Sequence, residues 1–173
     1  PMGSPDPLDE VAHSPVKNVV RVYRDRIAFC VNNECALYCR FCLRKRMVGD
    51  EEWSMRKKEL GVALDWIRRT PEIRDVLLTG GDPLVFSDER LEWLLAELRQ
   101  IPHVEIIRLG TRLPVTLPFR ANEALARMLE AELGERCTSR NLSLTLREDA
   151  GKSVVALRQA IARLADSGRP SDE

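Results

Sequence analysis

The sequence has no excess of charge of either sign, because 27 lysines and arginines balance 27 aspartates and glutamates. A nucleic-acid-binding domain normally carries a basic surface, so we expect no nucleic-acid partner. No apolar stretch approaches the roughly 20 residues that a membrane-spanning helix needs, so we expect no membrane partner. The N-terminus lacks a charged head followed by an apolar stretch, and no export signal is predicted.

Cysteine and histidine are also scarce: the chain has five cysteines and two histidines. The five cysteines do not resemble a disulfide framework, which favours a reducing compartment, and we expect a cytoplasmic protein. His13 and His103 fall in predicted loops with no neighbour that indicates acid–base chemistry. We interpret Cys30 and Cys137 as buried thiols rather than metal ligands.

The other three cysteines form one short motif, Cys35-Ala-Leu-Tyr-Cys39-Arg-Phe-Cys42. Three thiolates at this spacing can bind three irons of a cubic iron–sulfur cluster and leave the fourth iron without a protein ligand. A cluster that only carries electrons normally has four protein ligands, whereas an open position allows chemistry at the metal. The residues alone leave two alternatives: a zinc site that takes its fourth ligand from elsewhere, or free thiols without a metal.

The hydrophobic pattern predicts strands that alternate with helices. Residues 1–18 contain four prolines and are predicted to be an irregular lead-in, residues 19–170 the folded domain and residues 171–173 a tail. Strands are predicted at 27–31, 76–78, 104–109 and 142–146. Helices are predicted after the N-caps Ser54 and Ser87, over 121–133 with Gly134 as C-cap, and around 157–164.

Four such units predict an α/β fold with parallel strands and right-handed crossovers. A complete barrel of eight units needs about 250 residues, so the prediction is a partial, half TIM-type barrel. Half a barrel leaves a sheet edge and an inner face uncovered. We therefore expect marginal stability or self-association into a homo-oligomer, unless a C-terminal half or a second chain covers the open side.

The cysteine motif, entered from an apolar strand, resembles the signature of the radical S-adenosylmethionine (SAM) enzymes. The stretches 38–46, 75–84 and 101–108, together with Arg112-Leu-Pro-Val, narrow the resemblance to the lysine 2,3-aminomutase family. It runs without a gap over about residues 6–129, which corresponds to the N-terminal half of that family's proteins. The resemblance implies a partial or full barrel with the cluster at the C-terminal mouth of its strands.

The resemblance also implies cofactor-binding residues. Cys35, Cys39 and Cys42 would ligate a [4Fe-4S] cluster, whose fourth iron is chelated by the amino and carboxylate groups of SAM. Phe41 matches the aromatic residue beside the adenine, although ordinary packing is the alternative. Thr79, Gly80, Gly81 and Asp82 match the turn whose backbone meets the methionyl amino group, and an ordinary turn is the alternative. Arg112 matches the arginine of the Arg-x-Pro motif at the mouth, and a structural ion pair is the alternative.

Two further arginines match substrate-side positions. Arg44 matches the arginine that binds the substrate α-carboxylate, and the alternative is a solvated basic patch with Lys45 and Arg46. Arg26 matches a residue near pyridoxal phosphate (PLP). Val22, however, replaces an arginine that helps to hold the phosphate, and no lysine here has the Gly-rich context of the PLP lysine. The sequence therefore departs from the family pattern at the PLP site.

The function that the resemblance implies is that of a radical SAM isomerase. A 5′-deoxyadenosyl radical would start the migration of an amino group from C2 to C3 of a small amino acid bound to PLP. An external electron donor such as flavodoxin or ferredoxin would reduce the cluster. Two alternatives remain: a radical SAM domain without PLP, which either makes the radical for another reaction or is inactive alone, and a non-catalytic metal-binding module.

Overall fold

The structure, a computed structural model, describes residues 4–133, without the side chains of residues 130 and 133. The described residues form four strands: β1 (Val19–Val20), β2 (Arg26–Asn32), β3 (Asp75–Gly80) and β4 (Ile106–Leu109). They also form four α-helices: α1 (Lys57–Arg68), α2 (Asp88–Arg99), α3 (Leu113–Thr116) and α4 (Glu123–Leu133). Single 3-10 turns lie at Glu51–Trp53, Pro83–Val85 and Pro118–Arg120.

The four strands form one sheet in the order β1-β2-β3-β4. Strands β2, β3 and β4 are parallel, with Leu78 opposite both Phe29 and Leu109, and α1 and α2 make the two crossovers. The predicted α/β class with parallel strands is confirmed, and closure into a half TIM-type barrel stays a prediction. The sequence did not reveal β1, a two-residue strand that pairs antiparallel with β2.

One face of this sheet carries the hydrophobic core. Because side chains alternate along a strand, Phe29, Leu78 and Leu109 point to the same face, where they are buried with the leucines of α1 and α2. On the other face Ala28, Leu77 and Ile106 are only half-buried. The described part of the sheet thus has one covered face and one partly open face.

The observed N-termini of α1 and α2 can be compared with the two predicted N-caps. Ser87 is confirmed as the N-cap of α2, where its hydroxyl accepts the Arg90 N–H at 3.4 Å. The prediction for Ser54 was wrong, because α1 begins at Lys57 and Ser54 instead ends the preceding 3-10 turn. Because the side chain of Met55 is buried in the core, the chain stays extended at Ser54 and Arg56, and the N-cap shifts by two residues to Arg56.

Other boundaries shift by one or two residues. The third predicted strand shortens to Ile106–Leu109, since Val104 N–H donates to Ile101 O in a turn. Predictions at Gly134, Cys137, 142–146 and 157–164 lie outside the described residues. Within residues 4–133, no helix combines the length and apolar character required to cross a membrane.

The two faces of β3 allow a matched test of the core. Leu78→Ala removes a fully buried side chain and should lower the free energy of unfolding by about 2–5 kcal/mol. Leu77→Ala changes the neighbouring, half-buried residue on the other face and should cost clearly less. Urea denaturation of both variants measures the difference, and equal losses would contradict the assignment of the core to one face.

Candidate functional site

A long connection, residues 33–49, carries the three clustered cysteines and is called the cysteine loop below. It leaves the C-terminal end of β2 and closes on itself, because Gly49 N–H donates to Asn33 O at 2.7 Å. The buried side chain of Met47 anchors its second half. The loop therefore lies where the carboxyl ends of the parallel strands meet, which is the predicted location.

The three cysteines of the loop are free thiols, each half-buried. Cys42 Sγ accepts the backbone N–H of Arg44 at 3.3 Å, and Cys39 Sγ accepts a guanidinium N–H of Arg112 at 2.7 Å. Burial raises the pKa of the Cys35 thiol to about 11, and the negative charge of Asp82 adds to this rise.

This donor set fits an iron–sulfur cluster, whose sulfur ligands characteristically accept N–H hydrogen bonds. A cubic cluster binds each thiolate at a separate iron. Within residues 4–133, no three His, Cys, Asp or Glu side chains converge on a point that a single metal ion could occupy.

Cys30 differs from the cysteines of the loop. It lies within β2 and is fully buried, as predicted, and burial raises the pKa of its thiol to about 11. Its thiol faces the guanidinium of Arg44 in the cysteine loop, but Cys30 lies in β2 and outside the spaced motif, so it is the comparison cysteine for experiments on the other three.

The Gly80-Gly81 turn at the end of β3 packs directly on the start of the cysteine loop. A Cβ on Gly81 would lie 2.5 Å from the backbone N of Glu34 and closer still to its O, and a Cβ on Gly80 would lie 2.5 Å from Asn32 O. The amides of Gly81 and Asp82 donate to Asn32 O and Glu34 O at 2.8 and 2.7 Å. The two glycines are therefore required by contact between protein backbones, a reason that sequence analysis did not identify.

The carboxylate of Asp82 is buried and fully engaged. Its Oδ1 accepts the Thr111 hydroxyl at 2.6 Å and the Leu84 N–H at 3.0 Å, and its Oδ2 accepts the Arg112 N–H at 2.7 Å. Asp82 therefore joins the end of β3 to the segment between β4 and α3. Asp82 matches the turn that meets SAM in the family, but its carboxylate binds other residues of the protein and is not free for a ligand.

Arg112 reaches the cysteine loop from that segment. Besides donating to Cys39, its guanidinium lies over the ring of Phe41, 5.4 Å from the ring centre. Phe41 is otherwise 66% exposed, so it is not a core residue. The structure thus places Arg112, Phe41 and Cys39 together, and their cofactor roles stay predictions.

Arg44 and Arg46 share one buried carboxylate, that of Glu10. Arg44 donates to Glu10 Oε1 at 2.7 Å and to the Thr79 hydroxyl at 3.3 Å, and Arg46 donates to Glu10 Oε2 at 3.0 Å. The two arginines therefore do not form a solvated patch, whereas Lys45 between them is exposed. Glu10 was not predicted as a site residue, since no local pattern marks a residue whose partners lie more than 30 positions away.

Arg26 lies apart from these residues. It begins β2, whose other end leads into the cysteine loop, and at ~3.3 Å per residue the two ends are roughly 20 Å apart. Its guanidinium pairs with Asp25 at 3.3 Å and lies over the ring of Tyr23. The structure does not bring Arg26 to the cysteines.

A family model described as "Radical SAM superfamily" matches residues 29–149 of this chain, which is more than half of its length. The chain belongs to the radical SAM superfamily. The match includes the cysteine loop, the Gly80-Gly81 turn and Arg112, so the family assignment and the geometry concern the same residues.

Curated relatives of this radical SAM chain carry aminomutase names. The L-lysine 2,3-aminomutase of Clostridium subterminale is 48% identical over 125 residues, which cover 72% of this chain and 30% of the relative. The glutamate 2,3-aminomutase of Clostridioides difficile is 45% identical with the same coverage. A putative L-lysine 2,3-aminomutase of Aquifex aeolicus is 48% identical over 129 residues, 74% of this chain and 34% of the relative. The chain therefore spans about a third of the length of these relatives.

The close backbone contact at Gly81 predicts that adding one methyl group there lowers the stability of the protein. Gly81→Ala should destabilise the protein by about 1–3 kcal/mol or more, because its Cβ would overlap Glu34. Gly61→Ala is the matched control: nothing lies within 4 Å of its Cβ, and alanine in helix α1 should stabilise by ~1 kcal/mol. Thermal unfolding measures both variants, and a neutral Gly81→Ala would contradict the close packing.

The Glu10 ion pairs predict a second sensitive position. Glu10→Gln removes the negative charge that two largely buried guanidinium groups share. It should lower the free energy of unfolding by about 3 kcal/mol. This value is the lower end of the range for buried pairs, because Arg46 keeps a second partner, Asp6, at 3.1 Å. Asp9→Asn, on the exposed neighbour, should change the free energy of unfolding little. Similar losses for both variants in urea denaturation would count against the Glu10 assignment.

Proposed function

We propose that this chain carries the SAM-cleaving site of a radical SAM enzyme. The observation that supports the proposal is the cysteine loop, which places three thiols at the carboxyl end of β2 with N–H donors directed at two of them. A [4Fe-4S] cluster held by Cys35, Cys39 and Cys42 would supply the electron for reductive cleavage of SAM to methionine and a 5′-deoxyadenosyl radical.

The chain's own residues would assemble and orient this site. Cys35, Cys39 and Cys42 would each supply a thiolate ligand, and Cys35, whose thiol pKa is raised, would have to lose its proton to bind. Because Gly80 and Gly81 have no side chains, the backbone at the loop entrance packs directly against the end of β3. The partly exposed face of the ring of Phe41 is available to lie against the adenine.

The substrate class follows from the names of the relatives. We propose a small amino acid whose amino group moves from C2 to C3, with flavodoxin or ferredoxin as the electron donor. Arg44 is the candidate for its α-carboxylate, but both terminal nitrogens of its guanidinium are engaged by Glu10 and Thr79. A substrate carboxylate at Arg44 would therefore have to replace Glu10.

PLP, by contrast, does not fit the part of the chain that the structure describes. Val22 is exposed at the phosphate position, and Arg26 lies at the far end of β2 from the cysteine loop. Lys17 donates to Ser54 O and Lys57 lies over the ring of Trp93. The other described lysines, Lys45 and Lys58, are exposed. These positions favour a second candidate, in which this part of the chain performs SAM cleavage and provides no PLP site.

Anaerobic reconstitution with iron and sulfide tests the proposed cluster. The protein should bind about one cluster, show broad visible absorbance and, with SAM and dithionite, release 5′-deoxyadenosine. Alanine at Cys35, Cys39 or Cys42 should abolish the absorbance, while Cys30→Ala, which changes a buried thiol inside β2, should retain it. Equal loss in Cys30→Ala, or tightly bound zinc in the native protein, would refute the assignment.

PLP binding is tested separately. Incubation with PLP, reduction with borohydride and peptide mapping should label none of the four described lysines stoichiometrically, because none has a Gly-rich context, Lys17 and Lys57 contact protein groups, and the other two are exposed. Stoichiometric labelling of one of them, such as Lys45 on the cysteine loop, would contradict this expectation and restore the PLP-dependent reaction to this part of the chain.

A further inference from the structure

We propose that Arg112 is a positioning residue that raises the reduction potential of the cluster through its contact with Cys39, an inference that rests on the proposed [4Fe-4S] site. The resemblance places Arg112 only at the mouth of the site. The structure adds a specific contact, the hydrogen bond from its guanidinium to Cys39 Sγ at 2.7 Å.

Two further contacts fix this arginine, and a third fixes the carboxylate that holds its backbone. Its own backbone N–H donates to Asp82 Oδ2, and the other oxygen of that carboxylate accepts the Thr111 hydroxyl. At its far end the guanidinium lies over the ring of Phe41, two residues after Cys39. The buried Asp82 thus holds the backbone while Phe41 supports the side chain, so the donor is directed at one sulfur.

The expected sign of the effect follows from charge. Reduction adds one negative charge to the cluster and its thiolates, and the potential of such clusters depends on net charge, on hydrogen bonds to the sulfurs and on solvent exposure. A guanidinium that donates to a thiolate stabilises the more negative, reduced state. Removing it should therefore make the cluster harder to reduce.

The neighbouring Arg40 provides a matched control. It directly follows Cys39, is exposed and carries the same charge, but within residues 4–133 the structure shows no hydrogen bond from it to a cysteine sulfur. Arg40→Gln therefore removes a charge near the same ligand without removing a contact with it. A comparison of the two glutamine variants separates the directed hydrogen bond from general surface charge, which water and salt screen.

The experiment is a redox titration of reconstituted protein followed by electron paramagnetic resonance, with iron and sulfide assayed in each sample. Arg112→Gln should shift the reduction equilibrium about tenfold towards the oxidised cluster, a decrease of about 59 mV for one electron. Arg112→Lys keeps the charge and should recover most of this shift, and Arg40→Gln should remain close to the unmodified protein.

Each other outcome is decisive. Equal potentials in Arg112→Gln and the unmodified protein, or equal shifts in Arg112→Gln and Arg40→Gln, would overturn the inference and leave the proposed cluster intact. Loss of the cluster from Arg112→Gln alone would also overturn it, because Arg112 would then act in assembly. If the unmodified protein forms no cluster, the proposed function fails first and the inference fails with it.

Discussion

The close contact between the Gly80-Gly81 turn and the entrance of the cysteine loop is the constraint on which the rest of the site depends. Two backbones approach each other so closely that neither glycine leaves room for a methyl group, and the amides of Gly81 and Asp82 donate across the gap. This contact fixes the entrance of the loop at Asn32 and Glu34, and Glu34 directly precedes Cys35. It also places the Asp82 carboxylate where it orients the segment that carries Arg112.

The N-terminal lead-in contributes the second constraint. Glu10 lies in an irregular segment, yet its buried carboxylate accepts hydrogen bonds from two arginines of the cysteine loop. The loop is thereby held from two directions, by β3 at its entrance and by the lead-in at its second half. An apparent linker thus becomes part of the wall of the site, and Arg44 acquires a structural role that competes with the binding of a substrate carboxylate.

The sequence predicted those features that depend on local pattern. The period of the leucines located α1 and α2, the hydroxyl of Ser87 marked a true helix start, and the cysteine spacing indicated the candidate site. Ser54 failed as a cap because a buried neighbour, Met55, imposed an extended chain that no local rule describes. Glu10 and the engaged carboxylate of Asp82 were missed for a related reason: their roles arise from partners some 30 positions away.

The arrangement of the strands has a consequence for the order in which the chain folds. Each strand of the described sheet lies beside the strand that precedes it along the chain, and β1 pairs with the outer edge of β2. No strand among these four has to wait for a later one to be inserted between it and its neighbour. Because a ribosome releases the N-terminal residues first, the sheet can grow strand by strand during translation, with β4 as its advancing edge.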